Sequence, residues 1–263
     1  MADDSLFSVS LQNLRKIALQ TARDAIFPPR CAGCRAFYPD LFCESCHKTL
    51  QPIGAPFCLC CGTPFDALAH AAAECADCRA NRYHGAPPYA ALRSAYAFEG
   101  ALRPAVYNFK YKGKTALAEP LSAILEHTLQ SDPTLQHQNF AALVPVPLHP
   151  WRHWRRGYNQ SALLAEHLSH KIGVPTLELL LRTRRTGSQV GLTEKQRLEN
   201  VRGAFASNHK LMSQFSNRIC NQTGAVLLID DVCTTGATLA ECARVLQGAG
   251  VAQVFALTLA RQL

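Results

Sequence analysis

From residue 92 onward, short unbroken apolar runs alternate with apolar residues spaced three and four apart. The unbroken runs read as strands buried on both faces, and the wider spacing as amphipathic helices. Leu92–Phe98 is the first strand; Gly100 turns the chain, and Leu102, Val106 and Phe109 mark one face of a helix. Leu117, Leu121, Ile124, Leu125 and Leu129 mark a second helix, and Ser131–Asn139 a polar connector. Ala141–Val144 is a second buried strand, closed by Pro145-Val146-Pro147. Leu163, Leu164 and Leu168 place a helix over Ser161–Lys171, and Val174–Leu181 leads into an edge element. His209–Asn221 reads as a polar connector. Val226–Ile229 is a third buried strand, and Leu239, Cys242, Ala243 and Leu246 share one side of the helix after it. Gly248-Ala249-Gly250 stops that helix before a last strand over Val251–Leu259. The alternation predicts an α/β fold, a mainly parallel sheet flanked by helices.

Before residue 92 the texture changes. Leu6, Leu11, Leu14, Ile17, Leu19 and Ile26 are loosely helical over residues 5–27. They predict an amphipathic helix packed on the segment that follows, with a membrane-surface helix as the alternative. Pro28-Pro29 ends it. Cys31 to Cys78 is too short and too poor in aliphatic residues to fold on its own core. Its cysteines offer another source of folding energy. Eight of the twelve cysteines form four Cys-x-x-Cys pairs, Cys31/Cys34, Cys43/Cys46, Cys58/Cys61 and Cys75/Cys78. Each turn points two thiolates at one ion, and two turns complete a tetrahedral zinc site. Sequential pairing gives two zinc ribbons; cross-braced pairing would use the same residues. Cys61 is preferred to Cys60 for its spacing, with Gly62 allowing a tight turn. His47 reads as a surface residue and Asp66–Glu74 as a solvent loop. The start MADDSLFSVS lacks the basic-then-apolar pattern of a signal peptide. It predicts a cytoplasmic, reducing setting in which cysteines bind metal. No apolar run reaches the ~18 residues a membrane span needs. The expected division is 1–82, helix and double zinc ribbon; a linker over Arg82–Pro88; and 89–263, the α/β domain.

The 263 residues carry a formal net charge of +8, from 27 Lys plus Arg against 19 Asp plus Glu. That excess favours a phosphorylated ligand or nucleic acid. Basic residues gather at three places. Phe109–Lys114 interleaves three lysines with two aromatics, suited to a nucleic-acid backbone and bases or, equally, to a helix C-terminus with Tyr111 packed down. Trp151–Gln160 puts three arginines and two tryptophans in one short loop, where guanidinium groups can grip diphosphate or nucleic-acid phosphates. Arg182–Phe205 is long and polar, with a short helix over Leu192–Asn200 begun by Thr193; such inserts serve as active-site lids.

The most specific chemistry lies in Val226–Thr238, VLLIDDVCTTGAT. A short turn from a parallel strand into a helix leaves backbone N–H groups free to hold an anion. Thr234 and Thr235 add hydroxyls, and Gly236 lets the backbone close on a phosphate. Asp230 and Asp231 would repel that phosphate, so they suit a sugar diol, with Mg²⁺ nearby to offset charge. Neither a Walker A sequence nor GxGxxG is present. The stretch resembles the phosphoribosyl-diphosphate (PRPP) motif of type I phosphoribosyltransferases.

Over nearly its full length the chain resembles the ComF/GntX family, bacterial proteins linked to natural competence and use of external DNA. The four cysteine pairs, Phe109-Lys110-Tyr111, Gly113, Pro145-Val146-Pro147 and Arg156-Gly157-Tyr158-Asn159-Gln160 carry the resemblance. So do the spaced Arg182, Thr186, Gln189, Leu192, Arg197, Asn200 and Phe205, and the phosphoribosyl motif itself. The resemblance implies a type I phosphoribosyltransferase-like domain fused to a double zinc ribbon. It implies that Asp230 and Asp231 bind the ribose hydroxyls of PRPP, that Cys233, Thr234, Thr235, Gly236, Ala237 and Thr238 cradle its 5′-phosphate, and that Pro145–Arg156 lies near the diphosphate. The residues from Arg182 to Phe205 would form the flap. Catalysis would rest on Asp230, Asp231 and Arg156, with diphosphate leaving the ribose C1 carbon. Implied partners are PRPP with Mg²⁺, single-stranded DNA, and DNA-uptake or helicase proteins, in the cytoplasm or peripheral to the inner membrane. The alternatives are an active transferase with an unidentified acceptor and a non-catalytic nucleic-acid coupling protein.

Overall fold

A computed structural model describes residues 28–65, 73–82, 88–185, 194–219 and 224–263. The chain in order gives two short helices, α1 (Glu44–His47) and α2 (Ala76–Arg82), then strand β1 (Ala91–Ala97). Helices α3 (Leu102–Tyr111) and α4 (Ala118–Ser131) lead to β2 (Phe140–Pro145), then to α5 (Pro150–Arg156) and α6 (Gln160–Ile172). A small ribbon, β3 (Leu180–Arg182) and β4 (Phe205–Ser207), flanks α7 (Glu194–Val201). Helix α8 (His209–Ile219), β5 (Ala225–Cys233), α9 (Ala237–Gly248) and β6 (Val254–Arg261) complete it.

The main sheet runs β1-β6-β5-β2, every neighbouring pair parallel, so the largely buried β5 and the fully buried β6 lie in the middle. Alternate residues of a strand face opposite sides. Leu227 and Ile229 of β5 accordingly join Leu121, Leu125, Leu164 and Leu168 of α4 and α6. Val226 and Leu228 join Met212, Phe215, Leu239 and Leu246 on the other side. The expected parallel sheet between helices is what forms.

Three local expectations give way. Strand β5 runs through the acidic pair to Cys233, because β6 supplies pairing that far, Asp230 opposite Thr258 and Cys233 opposite Arg261. Residues 151–156, expected as a loop, are helical: Pro150 opens α5, His149 Nδ1 accepts from the Trp151 amide, and Gly157 closes it at φ 81°. Residues 209–219, expected as a connector, form α8, since Met212 and Phe215 sit one turn apart and bury against α9's side of the sheet. The helix expected over residues 5–27 lies outside the described residues, as do 66–72 of the Asp66–Glu74 loop, residues 83–87 of the linker, and Thr193.

β1 is the sheet's outer strand, and an open edge invites pairing with other chains. Here the cysteine-rich stretch covers it. The Leu92 amide donates to Cys60 O (2.8 Å), the Ile53 amide to Ala95 O (2.9 Å), and the Ala97 amide to Gln51 O (2.8 Å). Cys31, Ala32 and Phe42 share a hydrophobic cluster with Leu102 and Val106 of α3. Among the described residues, no helix is long and apolar enough to cross a membrane.

Candidate phosphoribosyl site and cysteine clusters

The acidic pair stands at the end of β5, held from two sides. Asp230 Oδ1 accepts from Ser161 Oγ, at the start of α6, and from the Asp231 amide, both at 2.9 Å. Burial, and then the charge of Asp231, push the Asp230 carboxyl up to about 7, against the pull of Lys110. Asp231 forms an ion pair with Lys110 Nζ at 2.8 Å, its carboxylate only 8% exposed. Lys110 comes from the last turn of α3. The chain then passes Cys233, Thr234 and Thr235 to Gly236, whose φ of 78° is the left-handed conformation glycine adopts without strain. Thr235 Oγ1 takes the Ala237 amide at 3.4 Å. This turn and the first residues of α9 form an N-terminal amide set of the kind that holds anions.

Each residue of Arg156–Gln160 has a positional task. The Arg156 guanidinium stacks on the Tyr111 ring (4.7 Å to the centroid) and donates to Gln160 Oε1 at 2.7 Å. Gly157 caps α5; Tyr158 donates its hydroxyl to Phe109 O. Asn159 caps α6 through Ser161 N and donates to Val146 O, tying in the Pro145–Pro147 turn. Gln160 Nε2 is buried with no hydrogen-bond partner among the described residues, a spare donor beside Arg156. The Phe109–Lys114 hexamer is thus split: Lys110 turns to the acidic pair, whereas Tyr111, packed down in one of its two readings, stays 57% exposed.

The polar stretch after Arg182 leaves and returns on the β3–β4 ribbon, where Arg182 stacks over Phe205. Arg184 Nη2 donates to Asn200 O (3.1 Å) and Arg202 O (2.7 Å), closing the end of α7. Glu241 of α9 accepts the Gly203 amide at 2.6 Å and pairs with Arg244, which holds its carboxyl below the usual range. Glu241→Ala removes the charge-assisted hydrogen bond to the Gly203 amide and should cost about 1.5–3 kcal/mol in denaturant unfolding. Thr186, Gln189 and Leu192, and the side chain of Arg197, lie outside the described residues.

The cysteines group in sequence order, not cross-braced: Cys31, Cys34, Cys43 and Cys46 form one cluster, Cys58, Cys61, Cys75 and Cys78 the other. Within each, all four sulfurs lie within 4.8 Å of one another. Sulfur pairs at 3.6 Å (Cys34–Cys43) and 3.7 Å (Cys61–Cys75) are close to the edge of about 3.8 Å that tetrahedral Zn–S bonds of ~2.3 Å require. Burial alone would raise the Cys31 thiol, but the amides of Cys43, Cys34 and Gly33 bring it down to about 6. Cys46, half-buried, is pushed up to about 12 by desolvation and then by the neighbouring sulfurs. In the second cluster Cys58 comes down to about 7 in the same way, while burial and the neighbouring Cys61 push Cys78 far up. Four crowded thiols cannot ionise together without a cation among them, so the donor set fits zinc. Cys60 stays out of the cluster, half-buried against the sheet's core.

Residues 22–79 match the double zinc ribbon domain and residues 159–263 the phosphoribosyl transferase domain. Competence protein F of Haemophilus influenzae is 30% identical over 237 residues, covering 88% of this chain and 96% of that protein. The chain belongs to the ComF family. DNA utilization protein YhgH of Escherichia coli is 30% identical over 219 residues, 82% of this chain and 88% of that one. Competence protein ComFC of Bacillus subtilis is 30% identical over 225 residues, 83% of each. In this ComF-family chain the matched transferase region contains β5 and β6, but β1 and β2 complete the same sheet, and Lys110 reaches the acidic pair from outside it. Three residues at the site have roles the sequence did not announce, although Lys110 lies in the basic Phe109–Lys114 segment. Ser161 and Lys110 hold the acids, and Arg261 lies behind the turn; their partners are 69 to 200 residues away along the chain.

Proposed function

We propose that this ComF-family protein binds PRPP with Mg²⁺ at the turn between β5 and α9, binds zinc at both cysteine clusters, and serves the handling of incoming single-stranded DNA. The acidic pair carries the reading: two carboxylates fixed at the end of β5, one by Ser161 and one by Lys110, directly before a glycine-closed turn. Asp230 and Asp231 would take the ribose hydroxyls, and Cys233 to Thr238 the 5′-phosphate. Arg156, held by Tyr111 and Gln160, neighbours in sequence of Lys110 and Ser161, would meet the diphosphate. Magnesium supplies countercharge to that diphosphate when bound. Zinc at each Cys₄ set supplies folding energy to the edge cover of β1. PRPP with Mg²⁺ should raise Tm progressively with concentration, as any ligand of the folded state does; no rise at millimolar PRPP would count against the site.

The DNA role extends to this chain what the names of its relatives, a competence protein and a DNA utilization protein, say of them. A surface feature favours it. Tyr107 and Tyr111 lie 5.1 Å apart and 52% and 57% exposed, next to α5, where Trp154 is 81% exposed and Arg185 sits over Trp151. Exposed rings with guanidinium groups against them suit stacked bases and a phosphate chain. Trp154→Ala together with Tyr107→Ala should weaken binding of a labelled oligo(dT) by about tenfold or more, at ~1–3 kcal/mol per stacked base, while leaving PRPP binding in place. Unchanged oligo(dT) affinity would remove this face from the account. A catalytic reading, transfer of the phosphoribosyl group to a nitrogenous or nucleotide acceptor, is favoured by the intact acidic pair and by Arg156, whose partners Tyr111 and Gln160 adjoin in sequence the Lys110 and Ser161 that hold the acids. It predicts diphosphate release when the acceptor is supplied. The cytoplasm suits both readings, because every described cysteine is a free thiol.

A further inference from the structure

The second cysteine cluster and the phosphate turn meet on one buried guanidinium. Leu59-Cys60-Cys61, within the first turn of that cluster, presents three successive carbonyls to the sheet. Leu59 O accepts from Arg93 Nη1 (3.0 Å), Cys60 O from the Leu92 amide (2.8 Å), and Cys61 O from Arg261 Nη1 (2.8 Å). Arg93 is itself fixed by Asp132 (2.7 Å) and Thr134, so the grip is rigid. The approach has no slack. A Cβ on Gly62 would stand 2.4 Å from Leu92 O, and Gly62 sits at φ 70°.

Arg261 is the last residue of β6, paired in register with Cys233 at the end of β5. The same Nη1 that holds Cys61 O lies 3.5 Å from Cys233 Sγ, and the next amide, Gln262, donates to Cys233 O at 2.9 Å. Cys233 opens the turn, its thiol buried. Gly236, at the other end of the turn, faces Tyr89 Oη, Leu92 Cδ2 and Cys233 Sγ. The turn therefore rests on Leu92 and Cys233, and both are tied to the backbone of the second cluster. The first cluster lies elsewhere, Gly33 against Ala101 at the start of α3.

We infer that Arg261 is a positioning residue coupling the second cysteine cluster to the phosphate turn, so that metal at Cys58, Cys61, Cys75 and Cys78 and a phosphorylated ligand at Cys233–Thr238 strengthen each other's binding. This rests on the reading of that turn as the phosphate site. Coupling between two sites is reciprocal, and couplings of this kind amount to about 5- to 150-fold. The zinc-loaded protein is equilibrated with a chelator series, with and without PRPP and Mg²⁺, and its exposed cysteines are alkylated and located by peptide mass. PRPP should raise the chelator needed to expose Cys75 and Cys78 by about fivefold or more, and leave Cys31 and Cys34 where they were. Arg261→Met should cancel that protection with both zinc ions still bound before chelation. If the wild type binds PRPP and Cys75 and Cys78 are exposed at the same chelator concentration, the coupling is wrong.

If the wild type binds no PRPP, the phosphate reading falls, and Cys233 itself decides the coupling. Cys78→Ser should make Cys233 react faster with the alkylating reagent while Cys242, buried on α9, stays protected; wild-type reactivity at Cys233 overturns the inference. Reaction of both thiols would report general unfolding. Arg261→Lys in zinc-loaded protein then decides the matter: faster Cys233 alkylation supports the inference and an unchanged rate overturns it.

Discussion

Asp230→Asn combined with Asp231→Asn should weaken PRPP binding by a hundredfold or more, with zinc content unchanged. Each carboxylate removed takes away a charge-assisted hydrogen bond worth about 1.5–3 kcal/mol, and every ~1.4 kcal/mol is tenfold in affinity. The single variants should part company in stability. Asp230 is pushed up to about 7 by burial first and by Asp231 second, whereas an unfolded aspartate titrates near ~3.9. The folded protein thus holds a proton that the unfolded chain has lost. Its contribution to stability is full below about pH 4 and is lost as pH rises through about 7. Asparagine does not ionise and can keep the Ser161 hydrogen bond, so Asp230→Asn should melt higher than wild type at pH 8 and about equally at pH 4. Asp231→Asn should melt lower, by about 2 kcal/mol. Breaking a fully buried pair costs ~3–5 kcal/mol, but the Lys110 side chain here keeps 20% exposure. Parallel melting curves at both pH values would show that Asp230 is not held protonated. Wild-type PRPP affinity in the double variant would remove both acids from the ribose.

Replacing Cys31 and Cys34 together by serine should release one of two zinc ions and destabilise more than the cysteine-rich stretch. Structural zinc sites contribute about 10–16 kcal/mol of binding free energy, comparable with the ~5–15 kcal/mol stability of a whole domain. Cys31 and its neighbour Ala32 pack in one hydrophobic cluster with Leu102, Val106 and Phe109, so the loss spreads into α3. Stripping both ions with a chelator goes further, because it loosens the cover over β1. The Leu92 and Ala97 amides and the Ala95 carbonyl would then lack their partners in Cys60, Gln51 and Ile53. An uncovered parallel edge next to fully buried β6 should aggregate. Chelated protein should therefore scatter light at temperatures where the zinc-loaded protein stays clear. Two zinc ions retained by the Cys31/Cys34 variant would show that these are not ligands.

The sheet and its flanking helices were legible because a strand buried on both faces must be largely apolar, as Val226–Ile229 is throughout and Val254–Leu259 is but for Thr258. Cys-x-x-Cys spacing likewise announced the clusters, since two thiols on one turn are already placed for one ion. Helix α5 escaped because it buries none of its residues, so it has no apolar period, although Pro150 and Gly157 mark its ends. Helix α8 escaped because polar residues fill most of it, and among the described residues only Met212 and Phe215, with the half-buried Leu211, carry its packed face. The end of β5 was misplaced because acids argue against a buried strand. Pairing with Thr258 and Arg261, and counter-charges from Lys110, make them tolerable there. Those partners come from distant parts of the chain, as does the Arg261 contact to Cys61. No local pattern could have announced them.

The most direct test is a calorimetric titration of zinc-loaded protein with PRPP in the presence of Mg²⁺, beside the Asp230→Asn, Asp231→Asn variant in the same buffer. The account predicts saturable binding near one PRPP per chain in the wild type and none in the variant at the same concentrations. Absence of heat and of binding in the wild type, or equal binding by both proteins, would contradict the claim that the turn between β5 and α9 is a phosphoribosyl site.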